Sequence, residues 1–170
     1  EIMPSLVGSE MCIRDSSSII AYCNKQIHKS QEDKNMDRLK GKVAVITGAN
    51  SGVGEATALA FAKEGATVVI SARRIEPLNA VADKIKAEGG TVLAVPTDIS
   101  DKAACENLMD KAVEAFGKID ILVNNAGVLE SGLKPIDRFN DDDLDRIINT
   151  NEKGTMYCMR AALKYMKEWA

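Results

Sequence analysis

The turn Thr47-Gly48-Ala49-Asn50-Ser51-Gly52-Val53-Gly54 joins an apolar run to the start of a helical pattern. In that context glycines can cradle a phosphate. They let the backbone turn sharply out of a strand, let a pyrophosphate approach without meeting a Cβ, and open a helix whose free N–H groups and dipole attract the anion. The loop is not that of a nucleoside triphosphatase, because GxxxxGK[ST] would need glycine and lysine where Val53 and Gly54 stand. A second apolar run ends at Ala72 and is followed by Arg73-Arg74. A carboxylate there would accept hydrogen bonds from a ribose 2′-hydroxyl, whereas a guanidinium pairs with a 2′-phosphate. These residues favour NADP(H) over NAD(H), with Arg73 as the contact and Arg74 as a solvated surface arginine. The missing acid also counts against an S-adenosylmethionine site. His28 is the only histidine, and Cys12, Cys23, Cys105 and Cys158 have no CxxC spacing. Neither a zinc site nor a histidine-based triad can be assembled from them, and the thiols are expected to be reduced.

The elements that must hold these groups alternate strictly. Residues 42–47 read as a strand buried on both faces. Residues 54–64 follow as a helix with Ala56, Leu59, Ala60, Phe61 and Ala62 on it and Gly65 as its left-handed stop. Residues 67–72 form the second strand, and 76–88 a helix opened by Pro77 and closed by Gly89-Gly90. A third strand is expected at 91–95, a helix at 101–116 with Ala104, Leu108, Ala112 and Ala115 inward, and a fourth strand at 119–124. Asn140 is an N-cap, and Asp141-Asp142-Asp143 place negative charge at the positive end of a long helix, a capping role rather than a metal site. Four β-α units in this order imply an α/β fold with a Rossmann-like, doubly wound parallel sheet.

The chain has 170 residues, with 22 Lys and Arg against 25 Asp and Glu, a net charge of −3. It is globular in composition, lacks the basic cluster a nucleic-acid or anionic membrane surface needs, and is expected to be cytoplasmic and bacterial. Residues 1–35 have no sustained period of 2 or 3.6. Within them 6–16 look like a translated sequencing adapter, and 17–35 like untranslated sequence ahead of a start at Met36. The expected division is thus a non-native, disordered leader at 1–35 and a truncated nucleotide-binding domain at 36–170.

The glycine turn TGxxxGxG at Thr47 to Gly54, together with Asn124-Asn125-Ala126-Gly127 after strand four, resembles the short-chain dehydrogenase/reductase family. Asp98, the Asp120-Ile121-Leu122-Val123 lead-in and Asn151 in N-x-x-G with Gly154 extend the resemblance over residues 38–166. It implies that Gly48, Asn50, Ser51, Gly52, Val53 and Gly54 bind the pyrophosphate side of the nucleotide. By the same resemblance Asp98 contacts the adenine, Asn125, Ala126 and Gly127 flank the nucleotide, and Asn124 holds the central sheet together. Asn151 would serve catalysis by anchoring a water in the proton relay through a reshaped helix.

The family's catalytic Ser and YxxxK have no counterpart here, since Tyr22, Tyr157 and Tyr165 are followed four residues on by Gln26, Ala161 and Trp169. Tyr157 and Tyr165 are expected to pack on the last helix. The loop Val128 to Phe139 is a candidate wall of the substrate pocket, with Leu129, Leu133 and Ile136 as readily explained by ordinary packing. The strand order that the resemblance implies, 3-2-1-4, would leave strand four as an open edge. The resemblance implies a parent enzyme that interconverts a small-molecule secondary alcohol and a ketone. A 3-oxoacyl-carrier-protein reductase or a hydroxysteroid or sugar-alcohol dehydrogenase are examples. The parent would be a homodimer or homotetramer, and the chain as given an inactive N-terminal part. A non-catalytic dinucleotide-binding or redox-sensing module is the competing reading, and a fragment whose last helix pairs with a partner is a third.

Overall fold

A computed structural model describes residues 37–129 and 134–166. The sequence expectations for residues 1–35, Leu133 and Trp169 lie outside them.

Four strands form one parallel sheet, β1 (Val43–Thr47), β2 (Thr67–Ala72), β3 (Val92–Pro96) and β4 (Ile121–Val123), in the order β3-β2-β1-β4. The helices between them are α1 (Gly52–Lys63), α2 (Ile75–Ala87) and α3 (Lys102–Phe116). After β4, a 3₁₀ turn (Ile136–Arg138) leads to α4 (Asp141–Ile147), which runs through a π-helical segment (Ile148–Gly154) into α5 (Thr155–Leu163). No helix among the described residues is long and apolar enough to cross a membrane.

The apolar runs become central strands because both faces of the sheet are covered. Val43, Val45 and Val69 face a layer holding Leu108, Met109, Ala112 and Ala161, while Ala44, Ile46, Val68 and Ile70 face Ala58, Leu78, Val81 and Ile85. Side chains of one strand thus alternate between two cores, as the pleat requires. Burying each Leu or Ile contributes about 1.5–3 kcal/mol.

Several boundaries and faces differ from the sequence expectation. Helix α1 begins at Gly52, so two of the loop's glycines lie in its first turn. Its fully buried alanine is Ala58, while Ala56 and Ala60 are exposed. In α3 the buried stripe is Cys105, Leu108, Met109 and Ala112, with Ala115 exposed. Alanine-rich helices carry little amphipathic signal, so the sheet they pack on, not the pattern, selects the face. Helix α2 starts at Ile75, leaving Pro77 in the first turn, where a missing N–H costs nothing. Gly65 and Gly117 are left-handed stops as expected, with φ of 83° and 79°.

Strand β4 is three residues long and, among the described residues, pairs with β1 alone. Its N-terminal side is anchored by Asp120, whose carboxylate accepts the Val43 N–H at 2.8 Å and sits 2.9 Å from Lys118 Nζ. Desolvation opposes ionisation of this carboxyl, but the Val43 N–H, Lys118 and Lys42 together outweigh it and hold the carboxyl below its ordinary range. Asn140 caps α4 through a reciprocal capping box with Asp143. Asp143 is also buried, 2.7 Å from the half-buried Lys134, so one residue of the acidic run is a buried carboxylate held in an ion pair at the surface of the fold.

Candidate functional site

In the sheet order, β1 lies between β2 and β4, the point where the winding reverses, and a crevice opens there beyond the carboxyl ends of the strands. It measures about 340 Å³. The turn after β1 forms its floor, Arg73 and Asp98 stand at one side, and Asn125, Ala126 and Gly127 at the other.

Each glycine of the turn has a separate steric reason. At Gly54 a Cβ would lie 2.3 Å from the Gly48 carbonyl oxygen and 2.5 Å from Asn125 Nδ2. At Gly48, with φ of +67°, it would lie 2.7 Å from Ala126 Cα. Gly52 also has a positive φ, +60°, yet nothing stands within 4 Å of its missing Cβ, so that position faces open space. Closure of the turn and an unobstructed approach are therefore divided among different glycines.

The two connections that frame the crevice are stitched together. Asn125 Nδ2 donates to the Thr47 and Gly48 carbonyls at 3.0 and 3.1 Å. Thr47 Oγ1 accepts the N–H groups of Asn125 and Ala126, each at 3.1 Å, and donates to the Val123 carbonyl at 3.4 Å. This corrects the expectation for the asparagine pair: Asn124 is exposed and Asn125 holds the sheet. The strand ends at Val123, so the chain turns out of the pleat one residue sooner and the inward side chain is the second asparagine. Thr47 was missed as a site residue although it opens the TGxxxGxG pattern, because a buried threonine at a strand end reads as packing.

Asn50, Ser51, Val53, Arg73, Asp98, Asn125, Ala126 and Gly127 all line the crevice, with Gly48. Gly52 and Gly54 shape the turn beneath it, and Arg74 instead occupies the N-cap of α2. Asp98 Oδ1 accepts from the Ser100 N–H and hydroxyl at 3.0 and 2.7 Å, which fixes its carboxyl against the rim. Ala72 completes the lining together with Ser71, Thr97, Ile99, Val128 and Thr150, and these last five carried no sequence signal of their own. Ser71 Oγ is fully buried with no hydrogen-bond partner among the described residues.

Asn151 lies inside the π-helical segment. Its side chain brackets the residue after the NNAG turn, accepting from the Val128 N–H and donating to the Val128 carbonyl, both at 2.8 Å. Its own carbonyl accepts from Thr155 Oγ1 at 2.8 Å. The π-bulge is thus tied to the crevice wall, a placement frequent at functional sites. Gly154 closes the segment where a Cβ would lie 2.8 Å from the Ile99 carbonyl oxygen.

The described tyrosines are elsewhere. Tyr157 packs partly buried beneath Arg160, and Tyr165 is more than a third exposed and donates to Asp110 at 2.6 Å, which raises its pKa. Leu129 and Ile136 are 67% and 73% exposed, so the expectation that they pack inward is not met. Arg146 donates to the Leu129 carbonyl, holding that backbone while its side chain faces out. No cluster that could bind a metal exists among the described residues.

The crevice fits a dinucleotide on its own features. Open space lies over Gly52, the start of α1 presents free N–H groups, and an arginine stands at the end of β2.

The family model for short chain dehydrogenases matches residues 42–170. A (2S)-[(R)-hydroxy(phenyl)methyl]succinyl-CoA dehydrogenase subunit of Thauera aromatica is 42% identical over 130 residues, 76% of this chain and 52% of that protein. A metagenomic short-chain oxidoreductase solved with NADP is 38% identical with a TM-score of 0.71, matching 75% of this chain and 57% of its own. Xylitol dehydrogenase solved with NAD+ is 30% identical with a TM-score of 0.72, over 76% of this chain and 49% of its own. The chain spans about half the length of the relatives it matches. With its parallel sheet, glycine turn and NNAG wall, the chain belongs to the short-chain dehydrogenase/reductase family.

Proposed function

We propose that the whole protein is an NADP(H)-dependent oxidoreductase that interconverts a secondary alcohol and a ketone, and that residues 36–170 supply the adenine and pyrophosphate half of its nucleotide site. The observation that carries the reading is Arg73 at the rim of a switch-point crevice whose floor is the glycine turn. NADP(H), when bound, supplies or accepts the hydride. Gly48, Gly52 and Gly54 let the pyrophosphate reach the first turn of α1, Asn50, Ser51 and Val53 border it, and Arg73 pairs with the 2′-phosphate. Asp98 orients toward the adenine, and Asn125, Ala126 and Gly127 form the opposite wall. Asn151 keeps the backbone around Val128 in place and, in this reading, holds a water in the proton relay. A redox sensor would have no need of that relay residue, which favours the enzyme over the binding module.

Replacing Arg73 by Ala in the full-length protein tests the nucleotide assignment. A charge-assisted bond to phosphate is worth about 1.5–3 kcal/mol, so the Kd for NADPH is expected to rise roughly 10- to 100-fold while that for NADH changes less than about twofold. Equal losses for both nucleotides would remove the arginine from the 2′-phosphate. The 170-residue chain by itself is expected to bind NADPH weakly and to show no carbonyl-dependent NADPH oxidation, because it contains no YxxxK sequence. Turnover by the purified chain would refute this.

A further inference from the structure

Two of the four cysteines, 53 residues apart in sequence, meet between α3 and α5. Cys105 Sγ and Cys158 Sγ lie 3.5 Å apart, and both residues are fully buried. We propose that Cys105 and Cys158 are a thiol pair that a hydroperoxide converts to an intramolecular disulfide, cross-linking α3 to α5 against the wall of the nucleotide crevice.

The pair is ordered as a relay. Cys158 donates its S–H to the Cys105 sulfur, and Cys105 donates in turn to the Ile99 carbonyl at 3.3 Å. The two helices are held in this relation independently of the sulfurs. Tyr165 donates to Asp110 at 2.6 Å, and Lys164 Nζ lies 3.5 Å from Glu106. Ala112, Ala161 and Ala162 fill the space between them, small enough to let the backbones approach. The hydrogen bond from Cys158 holds the Cys105 thiol below its ordinary range, although burial and the carboxylates Asp101, Asp98 and Glu106 oppose this. The same bond, with burial, pushes Cys158 up. Cys105 is therefore the attacking sulfur and Cys158 the resolving one.

The chemistry balances with a hydroperoxide as oxidant. As the Cys105 sulfur attacks one peroxide oxygen, an S–O bond forms and the O–O bond breaks, and the departing hydroxide takes the Cys105 thiol proton and leaves as one water. Cys158 sulfur then attacks Cys105 sulfur, the S–S bond forms and the S–O bond breaks. The departing hydroxide takes the Cys158 proton as a second water. Two thiols lose two electrons and one hydrogen peroxide becomes two waters. Because both sulfurs are sealed, the oxidant enters through local opening between α3 and α5. The product no longer offers an S–H to the Ile99 carbonyl, and Ile99 both lines the crevice and backs Gly154. None of this depends on which nucleotide the crevice takes.

The test treats the full chain with hydrogen peroxide, blocks remaining thiols with N-ethylmaleimide and maps tryptic peptides by mass. The expected result is a cross-linked species of peptides 103–111 and 154–160, about 2 Da lighter than their sum and reversed by dithiothreitol. With Cys158→Ser, Cys105 is expected to stop at a sulfenic acid that dimedone traps. With Cys105→Ser, Cys158 should stay alkylatable. In a fixed glutathione redox buffer, unfolding in urea should lower the yield of this cross-link at least about tenfold, since folding supplies the proximity. Cross-links to Cys12 or Cys23 in place of this one, independent alkylation of both thiols after peroxide, or an unchanged yield in urea would each overturn the proposal.

Discussion

Replacing Gly54 by Ala is expected to lower stability by about 2–5 kcal/mol, read as a reduced urea midpoint at unchanged slope. The methyl group would sit 2.3 Å from the Gly48 carbonyl oxygen and 2.5 Å from Asn125 Nδ2. The first of these atoms is backbone. The second is an amide already committed to two carbonyls at 3.0 and 3.1 Å. Neither can retreat like the tip of a flexible side chain. The overpacking cost of about 1–3 kcal/mol is therefore joined by about 1 kcal/mol for each hydrogen bond displaced. Gly52→Ala makes the control, because its Cβ meets nothing within 4 Å and only the φ of +60° opposes it. That strain is worth about 1–2 kcal/mol. If Gly52→Ala proved the more damaging in the nucleotide-free chain, the division of roles between the glycines would be wrong.

Thr47→Val is the second substitution with a large expected effect, although it preserves shape. Thr47 is fully buried, and its hydroxyl oxygen accepts two backbone N–H groups, those of Asn125 and Ala126. Valine fills the same volume and leaves both donors without that acceptor, beside a side chain that is itself fully buried. An N–H left without its acceptor costs up to about 1–3 kcal/mol, so the two together are expected to cost up to about 2–6 kcal/mol. Thr47→Ser keeps the hydroxyl and removes one methyl, which should cost about 1 kcal/mol. Thermal or urea unfolding of the two variants separates the cases, and a serine variant as unstable as the valine one would show that packing, not the hydrogen bonds, dominates. The same substitution should also loosen the NNAG wall. In the full-length protein, nucleotide affinity is then expected to fall further for Thr47→Val than for Thr47→Ser.

Much of the fold could be read from residues alone because its determinants are local. Apolar runs such as Val43–Thr47 bury both faces whatever they pair with, and Gly65 and Gly117 end helices by conformations that few other residues adopt. Asn140 caps α4 by reaching three residues ahead. The crevice was legible to the extent that its parts lie on turns between such elements: the glycine turn and Arg73 stand on their own residues, whereas Asn50, Ser51 and Asp98 followed from the family resemblance. Helix faces were less legible. In α3, both Ala104 and Cys105 suit a helix interior, and only the sheet beneath selects Cys105 as the residue facing inward.

By itself, the sequence determined where helices stop at left-handed glycines, which segments alternate, and that a guanidinium follows β2. Each is settled within a few bonds of the residue concerned. Only the tertiary structure decided that Asn125 and not Asn124 bridges to Thr47 across 78 positions, that Ser71 is buried without a partner among the described residues, and that Cys105 meets Cys158. Those contacts arise after the crossovers have brought distant turns to one end of the sheet. There a one-residue shift in where β4 ends exchanges an inward side chain for an exposed one.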